Sequence, residues 1–200
     1  MRRKGVNKEE TRRKVLDSAS KSFRKHGYAG IGVDYLAKSA GVTSGAIYSH
    51  FGSKEGAFDE VLAEGLEEVI TNLPQFQQQY GADWVKEFAH YYMTEAHRQD
   101  LECGCAMASL TPEVVRFGDE VHGAYERKMQ VIVDIAARGL AGAVEQERRA
   151  RAWSMLSVLI GGITVSRAMQ SRQAAREVAA AIAEAAVRAA GKTRVKPLPG

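Results

Sequence analysis

Apolar positions along the chain recur mainly at three- and four-residue intervals, and strict alternation is scarce. That spacing is the helical period. Leu16, Ala19 and Phe23 mark the inner face of a first helix over about residues 8–25. Asn7 is placed to cap it, with Glu10 as capping-box partner, and Gly27 to stop it. Val33, Leu36, Ala37 and Ala40 give a short second helix that Gly41 breaks. A third follows Thr43, whose hydroxyl can accept from a free first-turn N–H, and ends at Gly52. Ser53 caps a fourth helix that reaches about Thr71. Leu73, Pro74 and QFQQQYGAD read as a loop. Further helices are expected over 84–98, through CGCAMASL, over 112–140 with Pro112 as a boundary, over 146–170 and over 173–190. The pattern predicts an all-α chain of about nine helices: a three-helix N-terminal module, then a larger helical domain. The divisions are 1–58, 59–191 and a disordered tail at 192–200.

Composition supports the helices and adds a charge asymmetry. Ala, Leu, Glu, Arg and Lys are frequent, and they are good helix formers. At 200 residues and 45% apolar content, the chain can bury one good core, or a small module and a larger one. Residues 1–58 carry 12 Lys+Arg against 5 Asp+Glu, a net +7, whereas 59–200 carry 16 against 19, a net −3. A basic module before a near-neutral one points to an anionic partner for the first alone; the plain alternative is a solvated basic arm.

Several function classes are disfavoured. MRRKGVNKEETRRK leads into no apolar core of a secretory signal. The longest apolar stretch, Ala152 to Val165, is shorter than the ~18–20 residues of a membrane span, so a buried helix is expected there and no membrane partner. Cys103 and Cys105, one residue apart, make no disulfide framework, and a cytoplasmic location fits. There is no nucleophile–base pair, phosphate loop or metal cluster, and His90, His97 and His122 lack a metal-ligand spacing. The expectation is a protein that is not an enzyme and uses no cofactor or metal.

The second and third helices, joined by a tight turn containing glycine, form a helix-turn-helix. At 100° per residue, Ile47 and Phe51 fall on the core side of the third helix, and Gly45 and Ser49 fall almost opposite. Ala46 and His50 lie on one flank and Tyr48 on the other. A face of small side chains lets a helix backbone approach the floor of a DNA major groove. Tyr48 and His50 can then reach the phosphate walls, and Lys54 stands where the next helix's first turn favours an anion. The alternative is that these residues simply pack a small module.

Residues of about 9–69 resemble the DNA-binding domain of TetR-type (TetR/AcrR) transcriptional regulators. The resemblance rests on Leu16, Ala19, Phe23, Gly27-Tyr28, Leu36-Ala37, Ala40-Gly41-Val42, Ile47-Tyr48, His50-Phe51 and Ser53-Lys54-Glu55. It covers about a third of the chain and implies a helix-turn-helix at 32–51. Thr43 and Ser44 then start the recognition helix, with Gly45, Ala46 and Ser49 toward base edges and Tyr48, His50 and Lys54 on phosphates. The chain departs from the pattern in three places. Ile31 and Gly32 stand where relatives carry a capping Thr or Ser, and Ala46 replaces a frequent hydroxyl residue. Asp34 would repel a phosphate, so it points away from the backbone or accepts from cytosine N4.

The resemblance further implies a homodimer on a palindromic double-stranded DNA operator. The protein would act as a repressor, released by a small-molecule effector bound in the larger domain. Leu156, Ile160, Gly161, Val165, Ile182, Ala183 and Ala186, on the last two helices, are the candidate dimer interface. Phe88, Tyr91, Tyr92, Met107, Phe117, Tyr125, Met129 and Trp153 are the candidate ligand lining, since Met and aromatics suit an adaptable apolar site. An alternative trigger is a thiol or electrophile sensor at Cys103 or Cys105, though Asp100 and Glu102 nearby would raise a thiol pKa.

Overall fold

The computed structural model describes residues 2–194, with side chains from Lys8 onward. Among the described residues ten α-helices follow one another: α1 (Arg2–His26), α2 (Val33–Ala40), α3 (Ser44–Phe51), α4 (Lys54–Tyr80), α5 (Trp84–Tyr92), α6 (Glu95–Gln99), α7 (Ala106–Val114), α8 (Asp119–Arg138), α9 (Glu145–Arg167) and α10 (Arg172–Ala190). A single 3-10 turn, Gly81–Asp83, joins α4 to α5. The described residues contain no strand, only an isolated antiparallel bridge between Leu140 and Thr193. The chain is all-α, as the periodicity predicts.

The expected boundaries shift where tertiary contacts act. Asn7 lies inside α1 rather than at its start. Of the loop expected at 73–83, residues 73–80 are the last part of α4, with Pro74 inside the helix, and only 81–83 leave it, as a 3-10 turn. A proline there removes an amide donor and costs about 3 kcal/mol. The helix continues because its next turns are held: Leu73 and Gln77 are buried, Gln77 Nε2 donates to Ile135 O at 3.0 Å, and Phe76 packs edge-on against Phe88 at 5.5 Å. The helix expected over 84–98 splits instead, because the Thr94 hydroxyl accepts from His97 N and starts α6. Pro112 also sits inside a helix, α7, and the break falls at 115–118. Lys192–Arg194 do not trail away: Ala141 N donates to Lys192 O and Arg194 N to Gly139 O. Residues 195–200 of the expected tail lie outside the described residues.

The contacts define two compact units. Among the described residues, the first joins those up to Gly65 with Leu101–His122; the second joins Leu66–Asp100 with residues 123–194. In the first unit, Val15, Phe23, Leu36, Ile47, Phe58 and Leu110 are all but fully buried, each removal from water worth roughly 1.5–3 kcal/mol. Phe58 stacks on Phe117 at 4.6 Å, and Tyr28 meets Phe117 edge-on at 4.7 Å. Arg24 Nη1 donates to Gly104 O at 3.0 Å and Lys25 Nζ to Glu102 Oε1 at 2.6 Å, which ties the cysteine loop to the end of α1.

In the second unit, α9 and α10 lie together. A Cβ added at Gly162 would stand 2.3 Å from Ile182 Cγ2, so only glycine permits that approach. Arg98 is buried and donates to Met93 O, Ser166 Oγ and Ala175 O. Arg167 donates to the carbonyls of His97, Arg98 and Asp100 at the end of α6.

Candidate nucleic-acid interface

The turn between α2 and α3 is built by backbone geometry. Gly41 takes the left-handed conformation, φ 68°, and Val42 N donates to Ala37 O at 2.9 Å. This closes α2 with a six-residue loop characteristic of glycine C-caps. Thr43 is extended at φ −86°, ψ 155°, and α3 begins. Its hydroxyl makes no capping hydrogen bond, contrary to expectation; the Thr43 carbonyl takes the Ala46 N–H at 2.9 Å instead. Ser53 does cap, accepting from Gly56 N at 2.9 Å.

The faces of α3 fall where the rotation puts them. Ile47 and Phe51 are buried. Gly45 and Ser49 are exposed, Tyr48 is 55% exposed, and Ser44, Ala46 and His50 are half-buried. Gly45 is informative. A Cβ there would meet only Thr43 Oγ1, at 3.8 Å, and the residue has no left-handed φ. Glycine within a helix costs up to about 1 kcal/mol relative to alanine, and nothing inside the protein requires it. Gly56 differs, since its Cβ would stand 2.1 Å from Phe51 O.

Two groups near α3 are more engaged than the sequence suggests. Lys54 Nζ donates to Tyr28 O at 3.1 Å and Ile31 O at 3.0 Å, and lies 3.8 Å from the Tyr28 ring centroid. It thereby fastens the loop between α1 and α2 through two of its three N–H donors. Ser44 Oγ is bonded to Asp34 Oδ1 at 2.6 Å, across the turn. No periodicity along the chain links the first turns of two short helices, so this bond is not legible in the sequence.

The other expected sites divide between the units. Met107 and Phe117 are in the first unit, whereas Phe88, Tyr91, Tyr92, Tyr125, Met129 and Trp153 are in the second. Tyr91 is half exposed, while Phe88, Tyr92, Met107 and Met129 are buried. An open groove of about 670 Å³ in the second unit is lined by residues of α5 and α10, Lys86, Glu87, His90, Ala183, Glu184, Val187 and Arg188, and by none of those eight. Leu156 and Ala186 are buried within their own chain, so they are core rather than a face open to a partner. Gly161 and Val165 are exposed, and Ile160, Ile182 and Ala183 half-buried. A Cβ at Gly161 would meet nothing within 4 Å. Cys103 is exposed and Cys105 half-buried.

Among the described residues, no helix is long and apolar enough to cross a membrane, and no group of three His, Cys, Asp or Glu is placed to hold a metal.

Residues 15–61 match the model of the bacterial regulatory proteins of the tetR family. That match covers the helix-turn-helix part of the chain and supports a TetR-family transcriptional regulator. It is 34% identical over 87 residues to the transcriptional repressor AcnR of Corynebacterium glutamicum, covering 38% of this chain and 45% of AcnR. It is 43% identical over 53 residues to the transcriptional regulator AcrR of Shigella flexneri, covering 26% of this chain and 25% of AcrR. The aligned part thus spans less than half of these curated relatives. The likeness in fold extends further. Reduced NemR of E. coli superposes with a TM-score of 0.70 at 16% identity, over 94% of this chain and all of NemR. A structure described as "Molecular basis for control of antibiotic production by a bacterial hormones" matches at 26% identity and TM-score 0.66, over 92% and 98% of the two chains. AcnR and AcrR are named for transcriptional repression and transcriptional regulation.

Proposed function

We propose that this TetR-family regulator binds a palindromic DNA operator as a homodimer, acts as a repressor, and is released by a small molecule bound in its larger domain. One observation carries the DNA reading: α3 turns Gly45 and Ser49 outward, with Tyr48 and His50 on its flanks, and Gly45 has no packing role within the chain. The basic charge of residues 1–58 supplies attraction to phosphates. The dimer reading is supported by a second face. Along α9, Ser154, Ser157, Gly161, Thr164 and Val165 are exposed at three- and four-residue spacing. Small and apolar residues in such a row suit a partner helix at close range. Two recognition helices would then meet major grooves about 34 Å apart or somewhat more.

The test is selection from a pool of random duplex DNA, followed by binding measured across salt. Enrichment of an inverted repeat is expected, with affinity falling steeply as salt rises. Tyr48→Phe weakens binding to all sequences alike, whereas Ser49→Ala changes preference among them. No enriched motif, or salt-insensitive binding, overturns the reading.

One observation favours a second reading of the trigger. Cys103 and Cys105 flank Gly104, whose carbonyl accepts from Arg24 in the last turn of α1. Modification of either thiol would disturb a loop held against the DNA-binding unit. Thiol labelling of the native protein, with DNA binding measured before and after oxidation, tests it. No labelling and no change in binding removes it.

A further inference from the structure

Asp34 is the only carboxylate between Gly27 and Ser53. It is exposed, in the first turn of α2. In a surface that attracts phosphate, a lone carboxylate weakens binding unless something returns that loss. The dipole at the start of α2 offsets only part of it.

The bond to Ser44 fixes the chemistry of this corner. An ionised carboxylate has no proton to give, so the Ser44 hydroxyl is the donor in the 2.6 Å contact. Its single proton is then committed, and only its lone pairs face outward. The second oxygen of Asp34 also only accepts. Residues 34 and 44 therefore form an acceptor-only unit at the start of the recognition helix, where Ser44 alone would have been free to donate or accept.

In the major groove, guanine and thymine show only acceptors on their own edges, while cytosine shows the N4 amino donor and adenine pairs its N6 donor with an N7 acceptor. A carboxylate is repelled by N7, so cytosine is the best match. We infer that Asp34 reads a cytosine amino group in each operator half-site, and that Ser44 acts as a positioning residue that holds the carboxylate. This rests on the DNA-binding reading above and adds a base and an atom to it.

The experiment repeats the duplex-pool selection with the full chain and with Asp34→Ala, Asp34→Asn and Ser44→Ala, alongside thermal melts. Wild type is expected to enrich cytosine at one symmetric pair of positions. Replacing that cytosine with thymine should weaken wild-type binding by roughly 5- to 100-fold. Asp34→Ala should lose the preference there and nowhere else. Asp34→Asn keeps an acceptor for Ser44 and gains donors, so its preference should move to adenine, which asparagine pairs through N6 and N7. Ser44→Ala should blunt the cytosine preference and leave it in place. If Asp34→Ala unfolds the module, Asp34→Asn decides the matter. A wild-type motif retained by a folded Asp34→Asn overturns the inference and leaves the DNA reading standing. A wild type that enriches nothing overturns both.

Discussion

Helices α3 and α9 both turn small side chains outward, yet their surroundings call for different partners. In α3 the face is Gly45 and Ser49, set between Tyr48 and His50 in a basic module. In α9 it is Ser154, Ser157, Gly161 and Thr164, continued by the apolar Val165, which is 49% exposed. Small residues let something come near; the neighbours decide what. Polar flanks in a basic module suit a groove walled by phosphates, and an apolar continuation suits another helix. The contrast with packed glycines makes the point measurable. Gly162 is required by Ile182 within the chain, while a Cβ at Gly45 would meet only Thr43 Oγ1 at 3.8 Å and one at Gly161 nothing within 4 Å.

The largest effect expected is on the hidden side of α3. Ile47→Ala should destabilise the protein by about 2–5 kcal/mol, because Ile47 is fully buried. Ser49→Ala on the opposite side should change stability by no more than about 0.5 kcal/mol. Denaturant unfolding compares the two directly. If both substitutions cost alike, the faces of α3 are misassigned.

Next in size is the pair of adjacent glycines in α9. Gly162→Ala should cost about 1–3 kcal/mol by overpacking against Ile182. Gly161→Ala should leave stability unchanged or raise it by up to about 1 kcal/mol, as alanine favours the helix. If a partner helix seats on that face, Gly161→Ala also weakens the dimer, which sedimentation at varied concentration would show. A monomer at every concentration would leave the α9 face without the partner proposed for it.

The smallest effect is a difference in pH response between the units. In the first, the Asp59 pKa is raised, chiefly by burial and then by Glu55 and Glu120. The folded state holds that proton more tightly than the unfolded chain, so this group favours folding as pH falls toward the ordinary value of 3.8, and the gain is lost as pH rises. In the second, the His97 pKa is lowered, chiefly by burial and then by Arg167. Here the unfolded chain binds the proton more tightly, so stability is complete above 6.5 and falls as pH drops below it. Unfolding measured from pH 7 to 5 should show less loss in His97→Gln than in wild type. Below that range, Asp59→Asn should remove the opposite slope.

Much of the first unit was legible because its signals are local. Gly27, Gly41 and Gly52 all adopt positive φ where the sequence places helix ends. The 100° rotation placed Ile47 and Phe51 inside, and Ser53 caps as its position suggests. Local rules failed where distant residues intervene. Pro74 and Pro112 read as stops, yet both sit within helices, and Gln77 reaches Ile135 to hold the turns after Pro74. Lys54 has the spacing of a phosphate grip, but two carbonyls from the preceding loop already hold it.

By itself, the sequence determined the helical class, the helix-turn-helix and its outward face, and the basic charge around it, since each follows from backbone preference and period within a few residues. The tertiary structure alone decided that Leu101–His122 pack with the N-terminal module, that Leu156 and Ala186 turn inward, and that Ser44 gives its proton to Asp34. Those facts depend on side chains from separate elements meeting in space, and no periodicity along one element encodes such a meeting.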